Sequence, residues 1–120
     1  MRELKFRGWN DKINVMSKPF TFGQVLNFND QIIKSLSKDE IVMQFTGLKD
    51  KNGVDIYEGD IVQDIIVEMK SEIIFTDYAN FGLKSKNIRN LEYEIIDPAW
   101  SETSLEVIGN IYETPELLNK

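Results

Sequence analysis

Glu58-Gly59-Asp60, with Asp50 and Asp55 a few residues upstream, brings four carboxylates into one short stretch of the chain. Carboxylate oxygens suit hard cations such as magnesium or calcium, and alternate positions on a strand share one face. Glu58 and Asp60 would then be the pair for metal-assisted hydrolysis. A solvated turn calls for the same residues. Asp50-Lys51-Asn52-Gly53 lacks the further spaced acids and the terminal Glu of a calcium loop. Turn chemistry accounts for every residue here, so no metal ligand is assigned. Thr46-Gly47-Leu48-Lys49 fails as a phosphate loop, since it has neither the glycine spacing nor the Lys-Ser/Thr pair.

The chain has no His and no Cys. Imidazole acid–base catalysis, zinc–thiolate sites and disulfides are thereby excluded together. Any enzyme built on it would work with carboxylates, Lys, Tyr, Ser or Thr alone. No catalytic residue and no cofactor is predicted.

Charge offers a second kind of site. The net charge is −6, and residues 1–60 are neutral, with nine basic and nine acidic side chains. The whole excess lies in residues 61–120, with five basic and eleven acidic. Between Asn90 and Asn119 there are only acids, including Glu92, Glu94 and Glu106, while Arg2, Lys5 and Arg7 make the opening strand basic. With Trp9, that basic edge could meet nucleic acid, as could Lys84, Lys86 and Arg89. Duplex DNA repels a protein of this overall sign, and alternate basic residues are also the wet face of an edge strand. The acidic tract is better read as pairing with the basic strand, within the fold or across a subunit boundary. Trp9, Trp100, Tyr57 and Tyr112 could anchor an interface, but core placement is the favoured reading, since aromatics at strand positions are more often buried.

The elements that would hold these residues are short strands. Leu4 and Phe6 alternate with Lys5 and Arg7, a strand with one buried face. Asn10-Asp11-Lys12 turns into a strand at 13–16, and Phe20, Phe22, Val25 and Phe28 anchor short strands or loops. Asn29 caps a short helix over Asp30–Leu36. Ile41–Phe45 is a strand, and Asn52-Gly53 is placed at a tight hairpin with positive φ at both central positions. Val54–Tyr57 returns, and Gly59 turns the chain again. Ile61–Met69 then reads as one long strand, Lys70-Ser71 as a break, and Glu72–Thr76 as the next strand. A turn at Asp77–Asn80 leads to Phe81–Ser85. Leu91–Ile96 is a strand with an acidic outer face, stopped by Asp97-Pro98. Leu105–Tyr112 is the last strand, and Thr114 caps a terminal helix with Pro115 in its first position.

The predicted class is mainly β, or β-rich α+β: a small antiparallel barrel or sandwich with one or two short helices. One domain over 1–120 is predicted, with 1–40 less regular and 41–120 a compact β unit. The longest apolar runs are three residues, far short of the about 20 of a membrane helix. The charged start has no signal-peptide core, which predicts a cytoplasmic protein.

Three segments resemble the YopX family of bacteriophage and prophage proteins. The first is Arg2-Glu3-Leu4-Lys5-Phe6-Arg7-Gly8-Trp9-Asn10, where Gly8 replaces a more usual Ala. The second is Met43 to Gly53, with Gly47, Leu48, Asp50, Asn52 and Gly53, followed by Ile56-Tyr57-Glu58-Gly59-Asp60-Ile61-Val62. The third is Glu106 to Glu113, with Gly109, Asn110 and Tyr112, then Pro115-Glu116-Leu117-Leu118. The resemblance implies a β-rich fold, phage or prophage origin, residence in the cytoplasm of a bacterial host, and oligomer formation. It brings no catalytic mechanism. The function expected is that of a non-enzymatic accessory protein whose partner is protein, itself or another phage or host chain.

Overall fold

In a computed structural model, residues 4–21, 23–24, 40–76, 80–85 and 94–119 are described, the side chains of 94, 95 and 119 excepted. They form two antiparallel sheets of five strands each. The fold is mainly β, as the sequence predicts.

In the first sheet β1 (Lys5–Asn10) lies at the centre. Its two halves pair on one side with β2 (Val15–Met16) and β3 (Phe20–Thr21). On the other side it pairs with β4 (Glu40–Lys49), through Phe6↔Gln44 to Asn10↔Glu40. β5 (Asp55–Tyr57) completes the sheet. The second sheet runs β10 (Leu105–Asn110), β6 (Asp60–Asp64), β7 (Met69–Phe75), β8 (Phe81–Lys84), β9 (Glu94–Ile95). Ile56 of the first sheet packs among Val62, Ile73, Leu83 and Leu105 of the second and Ile96 just after β9, so one core joins the two. A helix α1 (Pro98–Ser104) precedes β10, and a 3-10 helix (Pro115–Asn119) follows it.

Several boundaries differ from the sequence reading, each for a local reason. Ile61–Met69 is a hairpin, not one strand. The Asp64 carboxyl accepts the Ile66 and Val67 amides, and the Glu68 amide bonds back to the Asp64 carbonyl. This side-chain turn, with Glu68 at φ 58°, reverses the chain. Lys70-Ser71 lies inside β7 and is no break. Ile41–Phe45 is the first half of a ten-residue strand. Asp97-Pro98 ends one element but also starts another: Asp97 accepts the Trp100 amide as N-cap, with proline in the first turn. At Asn52-Gly53 only Gly53 takes positive φ, at 79°. The turn is closed by Gly53 N to Asp50 O, with the Asp50 amide bonded to Val54 O. β10 stops at Asn110, whose side-chain oxygen takes the Tyr112 and Glu113 amides. Thr114 caps nothing with its hydroxyl, which bonds back to Asn110 N and O. A Cβ on Gly109 would sit 2.0 Å from that hydroxyl oxygen, so this close approach needs glycine.

The helix predicted at Asp30–Leu36, Phe22, Val25 and Phe28, residues 77–79 of the predicted turn, and 91–93 of the predicted strand lie outside the described residues. So do Arg2, Lys86, Arg89 and Glu92.

Candidate functional site

Strand β1 turns its basic side inward, the reverse of the sequence reading. Leu4 is exposed and Phe6 half-buried, while Trp9 is only 3% exposed. β1 is also no edge, being paired on both sides. The reason lies about fifty residues along the chain. Arg7 Nη2 donates to Asp60 Oδ1 at 2.5 Å and its guanidinium lies 4.6 Å from the Tyr57 ring centroid. Lys5 Nζ donates to Asp55 at 2.6 Å and lies 4.5 Å from the Phe45 ring centroid. Lys49 holds the other Asp55 oxygen at 2.8 Å. Flat aromatic faces and paired carboxylates make the inner side favourable for these cations. Among the described residues, Asp55 engages Lys5 and Asp60 engages Arg7, and both acids precede the acidic tract.

Trp9 belongs to the core as well, stacked on Tyr112 with ring centroids 6.0 Å apart. Tyr57 is buried too, so Trp9 and Tyr57 take the core placement, while Tyr112 is half-buried. Trp100 is half-buried and donates its indole N–H to Asp64 at 2.8 Å. Glu106 is half-buried opposite Gln63 on β10, and Glu94 stands on β9 opposite Leu83.

The conspicuous motif residues act as joints between the sheets. Asp50, 3% exposed, accepts the Asn52 and Val54 amides on one oxygen and the Val107 amide of β10 on the other. Arg7–Asp60 and Trp9–Tyr112 make the same crossing. Gly59, at φ 87°, leaves room for Met43 and Tyr112, whose atoms would lie 3.2 and 3.5 Å from a Cβ there. Gly47 also has positive φ, at 86°, and Leu48 packs against the shared core.

The imagined cation site is divided. Asp60 faces Arg7 and the Tyr57 amide, whereas Glu58 receives the Gln44 amide. Among the described residues no three carboxylates converge where an ion could sit. Burial lifts the Asp60 carboxyl above its ordinary value, against the pull of Arg7. Burial would lift Asp55 too, but its hydrogen bonds to Lys49 and Lys5 hold it below.

Asp64 likewise lies below its ordinary value of 3.8: burial opposes ionisation, but bonds from Trp100, Ile66 and Val67 outweigh it. Such a carboxyl contributes stability above the ordinary value, lost as pH falls through the lowered one. The unfolding free energy should therefore decline below about pH 4, and less steeply in Asp64→Asn. Urea titrations at several acid pH values check this, and equal slopes would refute it.

The exposed surface also carries an apolar patch. At the β6–β7 turn Ile65, Ile66 and Val67 are 44, 74 and 59% exposed. Beside them Val62, Val67, Met69, Leu83, Trp100 and Leu105 line a groove of about 330 Å³. Sequence reasoning missed this tip, because the same apolar run fits a buried strand equally well.

The YopX family, described as YopX protein, matches residues 5–119. The chain belongs to the YopX family. The crystal structure of protein EF1440 from Enterococcus faecalis is similar, with a TM-score of 0.62 and 24% identity. That match covers 96% of this chain and 97% of the other, and at this identity it speaks for the fold alone. No curated protein matches the chain. Among the described residues no helix is long and apolar enough to cross a membrane.

Proposed function

We propose that this YopX-family chain is a phage or prophage accessory protein that works by protein–protein contact and carries out no catalysis. It self-associates in the cytoplasm of the bacterial host through the β6–β7 tip. The observation that supports this reading is the exposed Ile65-Ile66-Val67 run beside an apolar groove. Contiguous apolar surface of this kind is costly in water unless a partner covers it. Nucleic-acid binding has less support, because Lys5 and Arg7 are engaged by Asp55 and Asp60. The hydrolase reading is weaker for the same reason, since Asp60 is committed to Arg7.

The test is size-exclusion chromatography with light scattering. The native chain is expected to run as a dimer or larger at micromolar concentration, and Ile66→Asp as a monomer. A native chain that stays monomeric at high micromolar concentration ends the self-association reading.

A further inference from the structure

The two sheets leave a gap where each has an unpaired strand edge. On β4, residues Glu40–Gln44 pair with β1, whereas β5 meets β4 only at Phe45 and Lys49. Gln44 directs its N–H and C=O away from β1, to the side chain and amide of Glu58. Residues two apart on a strand point their backbone groups the same way, so Val42 faces this open edge. On β7, pairing with β6 covers only Met69–Glu72. The Ile73 carbonyl takes the Gly59 amide at 2.8 Å on that side, and Phe75 faces the same way by alternation. Among the described residues neither Val42 nor Phe75 has a ladder partner there.

The Glu58-Gly59 turn therefore acts as a short spacer, bonded to β4 on one side and β7 on the other. Beyond it the two edges continue as the walls of a groove of about 220 Å³. Its rims are apolar and exposed: Ile41 at 39%, Val42 at 51%, Phe75 at 49%. Tyr112 lines it, and so do two acids, Glu58 and Glu72. Burial raises the Glu72 carboxyl, and Glu58 adds to the rise while Lys84 opposes it. Two carboxyls thus line a groove that offers backbone donors and acceptors on both walls.

We propose that this gap receives an extended strand of a partner protein, with apolar residues alternating with Lys or Arg. Because β4 runs toward the spacer and β7 away from it, the strand would be antiparallel to one edge and parallel to the other. Main-chain bonds to Val42 and Phe75 would hold it, as in other cases of strand addition. Its cationic side chain would meet Glu58 and Glu72, and its apolar ones would cover Ile41, Val42 and Phe75. The site lies apart from the β6–β7 tip, and light scattering reads self-association independently, so either proposal can fail alone.

The probe is a fluorescein-labelled, end-capped octapeptide of alternating Val and Lys, titrated against the full chain by fluorescence polarisation. Saturable binding is expected. It should weaken at least tenfold for the Val/Glu counterpart, and equally for a Val/Lys peptide N-methylated at alternate residues. Val42→Pro, which removes only an amide on the open edge, should abolish it, and Glu58→Gln with Glu72→Gln should weaken it severalfold. The double variant keeps the test valid if the proline variant unfolds. Absent binding overturns the proposal. So does equal affinity for the N-methylated peptide, or for the double Gln variant.

Discussion

Replacing Asp50 with alanine is expected to lower the free energy of unfolding by about 3 kcal/mol. This one carboxyl accepts three backbone amides, those of Asn52, Val54 and Val107. Water can reach the first two once the side chain is gone, since Asn52 and Val54 are exposed. Val107 is half-buried on β10, and its amide would lose its acceptor. The neighbouring Lys51 N to Leu105 O bond depends on the same turn. Asp50→Asn separates the two roles. Its amide oxygen can still hold the turn, but its NH2 would oppose the Val107 N–H. It should fall between the native chain and alanine. Urea unfolding measures both, and the Val107 amide should exchange faster with deuterium in each variant. A loss under about 1 kcal/mol in Asp50→Ala would show that Asp50 is no joint between the sheets.

How much of this was legible in the sequence depends on how far each cause lies along the chain. The Asp50–Gly53 hairpin could be read because the residues that make it are adjacent. Asp60 following Gly59 could be read as a turn for the same reason, although which partner it takes could not. The division of 61–69 was in principle visible in Asp64, whose side chain takes the Ile66 and Val67 amides, but the apolar run of Ile65 to Val67 hid it. Asp97-Pro98 carries both signals of a helix start, yet in sequence it shows only as a strand ending, since a seven-residue helix has too little periodicity to count. The facing of β1 was not legible at all. Its alternation of apolar and basic residues fits either orientation until Asp55, Asp60 and the rings of Phe45 and Tyr57 are known to lie underneath. Those partners are 50 and 53 residues away for the two ion pairs. The open edges of β4 and β7 belong to the same class, because an unpaired edge is a property of which strands meet and not of any one strand.

Arg7 gives a second large effect, and one whose size depends on pH and on its partner. Arg7→Met should cost about 3–5 kcal/mol near neutral pH, the range for stranding one member of a buried ion pair. Asp60 is 1% exposed, and without Arg7 its remaining hydrogen-bond donor is the Tyr57 amide. Burial already lifts this carboxyl above 3.8, and Arg7 is the main group pulling it down. The variant should therefore hold the Asp60 proton more tightly still. A carboxyl that is more basic folded than unfolded binds the extra proton in the folded state. Its penalty is absent below about pH 4 and grows as pH rises toward the folded value. Arg7→Met should thus lie closest to the native chain in acid and fall furthest behind at neutral pH. Removing the stranded charge as well, in Arg7→Met with Asp60→Asn, should recover at least half of the loss, because the amide needs no counter-charge and its oxygen can still accept the Tyr57 N–H. Urea unfolding of the native chain, both single variants and the double variant across pH decides it. If Arg7→Met loses the same amount at every pH, or the double variant loses the sum of the singles, then the guanidinium stabilises by packing on Tyr57 and not by neutralising Asp60.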